Sequence, residues 1–83
     1  MDACMITFRS ITPAQRGENI LRQAGIAATV QRTPRLLAEQ GCGYSLQLAC
    51  GRLPQAVDIL RHRGIAFRKA YKLRGNAPEE IQL

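Results

Sequence analysis

The chain has 83 residues and a mass of 9.2 kDa, room for one small domain and too little for a multi-domain enzyme with its own cofactor-binding fold. Hydrophobic residues make up 46% of it, which argues against a disordered tail, and aromatics only 5%, so aliphatic packing has to supply the core. Twelve Lys and Arg against six Asp and Glu give a net charge of +6, a balance that attracts anions and says nothing about fold.

Met5-Ile6-Thr7-Phe8 is a short β-prone run that ends before Arg9-Ser10. Thr12-Pro13-Ala14-Gln15 then predicts a helix start, with Thr12 as N-cap, Pro13 at the first helical position and Gln15 closing a capping box. Ala14, Gly17, Ile20, Leu21 and Ala24 share one helical face, and Gly25 is the expected stop. Ala27 to Gln31 predicts a second strand, and residues 32–43 a loop with one helical turn at Leu36 to Glu39. Tyr44 to Leu48 alternates as a third strand. A second helix starts at Leu53-Pro54, buries Leu53, Val57 and Leu60, and stops at Gly64. Ile65 to Tyr71 is the fourth strand, and residues 75–83 are expected to form a frayed polar tail behind a single domain of residues 1–74.

The chain also repeats itself. Ile20-Leu21-Arg22 and Gly25-Ile26-Ala27 recur 39 residues later as Ile59-Leu60-Arg61 and Gly64-Ile65-Ala66. Both copies fall where a helix gives way to a strand. The order is therefore β-α-β twice, the α+β, ferredoxin-like βαββαβ pattern, with a four-stranded antiparallel sheet and both helices on one face. In the order 4-1-3-2, strands 1 and 3 are antiparallel neighbours. Cys42-Gly43 then lies near the end of strand 1 and the start of helix 1, while Cys4 and Cys50 lie together at the far end, about 26 Å away along an extended strand.

Among the candidate chemistries, Cys42 stands out. Gly41 and Gly43 flank it and leave the sulfur open, the helix start at Thr12 favours a nearby anion, and Arg9, Arg32 and Arg35 belong to the same end. These features would lower the thiol pKa below its free value of about 8.5, which is what a sulfur nucleophile needs. The plainer alternative is an unreactive Cys in a glycine turn. Cys4 and Cys50 read as small core hydrophobes, close enough for a disulfide under oxidising conditions. Three Cys is an odd number, which favours reduced thiols and a cytoplasmic setting. No signal peptide or membrane span is expected. A zinc site from Cys4, Cys42, Cys50 and His62 lacks closely spaced ligand pairs, so no metal and no cofactor is expected.

The basic run Arg61, Arg63, Arg68, Lys69, Lys72 and Arg74 raises RNA binding, but an RNA-binding sheet of this type needs stacking aromatics, and only Phe8 and Tyr44 are placed for it. Nucleic acid is disfavoured as a partner, and solvated Arg is the simpler reading. A ligand-binding regulatory domain of the ACT-like kind stays open beside it, as does a homodimer through a sheet edge.

The strand end Phe8-Arg9-Ser10, the helix closing on Gly25-Ile26, the Thr33-Pro34-Arg35 run and Cys42-Gly43 together resemble a family of small bacterial selenium/sulfur carrier-like proteins, over about Cys4 to Tyr71. Arg32 stands where that family often has another proline, and Tyr44 where it usually has an aliphatic residue. The resemblance implies a carrier rather than an enzyme. Cys42 would take a sulfur or selenium atom as a persulfide or selenopersulfide from a cysteine-desulfurase-type donor and pass it to an acceptor protein. Arg9, Ser10, Thr12, Arg32, Pro34, Arg35 and Gly43 would form the surrounding binding residues.

Overall fold

The computed structural model describes residues 3–33, 43–74 and 77–82. The elements run β1 (Ala3–Phe8), α1 (Ile11–Gln23), β2 (Ala28–Arg32), β3 (Tyr44–Ala49), a 3-10 turn (Cys50–Arg52), α2 (Leu53–His62), β4 (Ala70–Arg74) and β5 (Ala77–Ile81). The five strands form one sheet in the order β2-β3-β1-β4-β5, and every neighbouring pair is antiparallel. The expected sequence of four strands lies inside that order, but the sheet has five strands, not four. Residues expected to fray instead form β5, pairing Leu73 with Pro78 and Lys72 with Glu79, with Lys69 Nζ 3.5 Å from Glu80 Oε1. The outer edge of β4 supplies the backbone partners that this weakly β-prone segment lacks on its own.

Strand alternation decides which residues face the helices. Cys4, Ile6 and Phe8 on β1 and Leu46 and Leu48 on β3 join one buried cluster with Ala14 and Leu21 of α1 and Leu53, Ala56, Val57 and Leu60 of α2, so both helices cover the same face. Gly17 is the closest approach. A Cβ there would sit 3.2 Å from both Leu46 Cδ1 and Leu60 Cδ2 and 3.6 Å from Phe8 Cζ. A glycine at this position therefore lets α1 settle onto the sheet and α2 at once.

The repeated segments are two copies of one helix stop. Gly25 and Gly64 have φ of +82° and +70°, the left-handed conformation that glycine takes at little cost. At the first, Gly25 N–H donates to the Arg22 carbonyl (3.0 Å) and Ile26 N–H to the Leu21 carbonyl (2.8 Å). At the second, Gly64 N–H donates to the Arg61 carbonyl (3.2 Å) and Ile65 N–H to the Leu60 carbonyl (2.9 Å). These are Schellman motifs, and the Leu and Ile of each are buried together.

Three sequence expectations are corrected. Helix α1 is capped by Ser10 rather than Thr12, and neither the Ser10 side chain nor a Thr12–Gln15 box closes its first turn. Pro13 sits third in the helix, where its missing N–H belongs to a group that has no intrahelical partner in any case. The fourth strand starts at Ala70, not Ile65: Thr7 engages Lys69 through both its backbone and its hydroxyl, so residues 65–69 follow β1 without a regular ladder. Cys4 and Cys50 are not free thiols but a disulfide, with Cα atoms 4.9 Å apart. Antiparallel pairing of Ala3 with Ala49 brings them together, and two of the three thiols are thereby removed from the argument for a reducing compartment.

No helix among the described residues is long and apolar enough to cross a membrane. The loop expectation for Leu36 to Glu39 lies outside the described residues.

Candidate functional site

The end of the sheet opposite the disulfide collects the candidate residues. Phe8 at the end of β1 pairs with Tyr44 at the start of β3, and Tyr44 pairs with Arg32 at the end of β2. Arg9, Ser10 and the first turn of α1 leave from this end, and Gly43 enters it. Thr33 N–H donates to the Gly43 carbonyl at 3.0 Å, which ties the last residue of the described β2 arm to the residue that follows Cys42 in the chain. Arg9, Ser10, Thr12 and Arg32 are all exposed here, and Gly43 is half-buried. Cys42, Pro34 and Arg35 lie outside the described residues.

The electrostatic character of this end is positive. The first turn of α1 has no acidic residue and its N-cap makes no side-chain hydrogen bond, so neither offsets the positive end of the helix dipole. The Arg32 guanidinium lies 5.8 Å from the centroid of the Tyr44 ring, a stacking contact that holds its charge at the rim. A cavity of about 260 Å³ opens beside the helix start, lined by Arg9, Ser10, Pro13, Phe67 and Arg68. Its walls join α1 to residues 66–68, which run beside β1 through the Arg68 N–H bond to the Thr7 carbonyl (2.8 Å). The sequence had placed Arg9 and Arg32 at this end. In the sequence Phe67 and Arg68 read as part of a regular strand, and Arg68 as part of a solvated basic run, which conceals their position beside the helix start.

Two further groups escaped the sequence reading. The hydroxyls of Thr33 and Ser45 are buried, with Ser45 fully inaccessible, and neither has a hydrogen-bond partner among the described residues. Thr7, Ser45, Gln31 and Thr33 lie on the sheet face away from the helices, because Ser45 pairs with Thr7 on one side and Gln31 on the other. A buried hydroxyl without a partner costs about 1–3 kcal/mol. The alternation Tyr44, Leu46, Leu48 already turned Ser45 to the second face; its burial there could not be read from sequence.

At the other end, Cys4 is 1% exposed within the core cluster, and Cys50 is half-buried in the 3-10 turn before α2. Joined to each other, they offer no thiolate to a metal. His62 is the last residue of α2, as the sequence suggested, and stands among Arg61 and Arg63.

No curated protein and no solved structure matches the chain. A family model described as "Putative Se/S carrier protein-like" matches residues 3–72, which takes in β1 through most of β4 and includes both the Arg9–Ser10 corner and Cys42-Gly43. With most of its length matched, the chain belongs to this Se/S carrier protein-like family.

Proposed function

We propose that the protein carries sulfur or selenium on Cys42 between a donor and an acceptor protein. The family match is the observation that carries this reading. The Cys42 thiolate attacks the terminal sulfur of a persulfide on a cysteine-desulfurase-type donor. A new S–S bond forms on Cys42, the donor's S–S bond breaks, and the donor thiolate leaves with the electron pair. No net oxidation occurs. The selenium version differs only in the atom transferred. The acceptor then attacks the outer atom, and Cys42 leaves as the thiolate.

The chemistry asks for little besides an accessible thiolate and somewhere to hold negative charge. The uncapped start of α1, together with Arg9 and Arg32 at the same end of the sheet, supports that requirement. Ser10, Thr12, Pro34, Arg35 and Gly43 complete the proposed binding residues. The sheet order, read without β5, supports a ferredoxin-like βαββαβ unit as the scaffold. Net charge +6 favours fast encounter with acidic partner surfaces. The proposed compartment is the cytoplasm, where a carrier thiol is kept reduced.

Incubation with a cysteine desulfurase and cysteine, followed by intact mass measurement, tests the reading. A gain of one sulfur atom is expected in the wild-type chain and none in Cys42→Ser. Equal gain in both would remove Cys42 from the role.

A further inference from the structure

We infer that the Cys4–Cys50 disulfide is a second sulfur site, independent of Cys42: a thiol-modification site at which a low-molecular-weight thiol of the glutathione class is taken up on Cys50 alone. The two sulfurs differ in everything that governs exchange. Cys4 belongs to β1 and is 1% exposed, packed in the cluster with Ile6 and Leu48. Cys50 begins the 3-10 turn, is half-buried, and is followed by exposed Gly51 and Arg52. A Cβ added at Gly51 would meet nothing within 4 Å, so the residue that follows Cys50 faces open space. Exposed Arg52 ends the same 3-10 turn and adds a cation to it, which favours a thiolate and the carboxylates of a glutathione-like molecule.

Exchange needs the attacking thiolate to reach one sulfur in line with the other as leaving group. Of the two residues, only Cys50 has appreciable exposed surface. The incoming sulfur bonds to Cys50 Sγ, the Cys4–Cys50 bond breaks, and Cys4 Sγ departs with the electron pair and takes up a proton. The product is a mixed disulfide on Cys50 and a neutral thiol on Cys4. That thiol remains in the core as a small hydrophobe. Burial disfavours its thiolate, so departure is slow, and so is the return attack that would expel the modifying group. Burial slows both directions, so it is a molar excess of glutathione that fills Cys50, over minutes to hours in the folded chain.

The experiment uses the oxidised Cys42→Ser chain, so that only these two sulfurs respond and failure of the carrier reading has no bearing. It is incubated with reduced glutathione in native buffer, quenched in acid and mapped by peptide mass while far-UV circular dichroism follows the fold. Glutathione is expected on the peptide holding Cys50, in roughly tenfold or greater excess over Cys4, with the folded signal retained. Adducts on Cys4, equal labelling of the two, or exchange only in urea where the folded signal is lost would each overturn the inference. A parallel arm compares iodoacetamide rates in Cys42→Ser/Cys4→Ser and Cys42→Ser/Cys50→Ser. The first, which keeps Cys50, should react at least about tenfold faster, and equal rates would contradict the asymmetry.

Discussion

Breaking the Cys4–Cys50 link by Cys50→Ala should lower stability by up to about 4 kcal/mol. The two residues are 46 apart in sequence. Closing a loop of that length removes on the order of 14 cal/mol/K from the unfolded chain, or about 4 kcal/mol at room temperature. The folded state loses little in exchange, because Cys4 stays in the core as a thiol and Cys50 is only half-buried. For a domain of this size the change corresponds to a fall in Tm of roughly 15–30 °C. Urea unfolding of the wild-type oxidised chain and of Cys50→Ala measures it directly. The linked chain should also show the smaller m-value, since its unfolded form exposes less surface. A difference below about 1 kcal/mol with equal m-values would refute the argument, because it would mean that the link constrains nothing the fold does not already hold.

Gly17→Ala sets a helix-propensity gain of about 1 kcal/mol against contacts of 3.2 Å with the movable methyl ends of Leu46 and Leu60, so stability should change by less than about 1 kcal/mol. Gly17→Val adds branches with nowhere to go and should cost at least about 2 kcal/mol in the same urea assay; a neutral Val would mean α1 sits farther from the sheet. Ser45→Ala removes a buried hydroxyl with no partner among the described residues and should be neutral or stabilising by about 1 kcal/mol, whereas a clear loss would show that the hydroxyl holds a water or ligand. Alkylation rate against pH should place the Cys42 midpoint below the free-thiol value of about 8.5, moving upward in Arg35→Ala; a midpoint at or above that value would leave the thiol without activation.

The parts of the fold that could be read from the chain are those where one residue type has one physical use. Gly25 and Gly64, each followed by an Ile, announce left-handed helix stops, and the structure places both with their Ile side chains buried. The antiparallel neighbours β1 and β3 follow from the order of elements, which is why Cys4 and Cys50 could be expected side by side. Whether they are oxidised depends on surroundings that residue spacing does not encode. The cap of α1 is not legible in the sequence because Ser10 and Thr12 are both good capping residues, and extended backbone at Ser10 decides between them. Strand β5 stayed hidden because Pro78, Glu79 and Glu80 have low β-propensity, and only the exposed edge of β4 makes pairing favourable. At the candidate site, the gathering of Arg9, Ser10, Arg32 and Gly43 at one end of the sheet was legible from topology. The buried hydroxyls of Thr33 and Ser45 were not, since burial on the second face is a tertiary property.

The central claim is that Cys42 is the sulfur that carries the cargo. Peptide mapping of the wild-type chain after loading by a cysteine desulfurase and cysteine, with persulfides blocked by alkylation before digestion, locates the transferred atom. The account predicts one added sulfur on the peptide containing Cys42 and none on the peptides containing Cys4 or Cys50. An added sulfur on the Cys50 peptide, or none on any peptide while the donor itself is loaded, would contradict it.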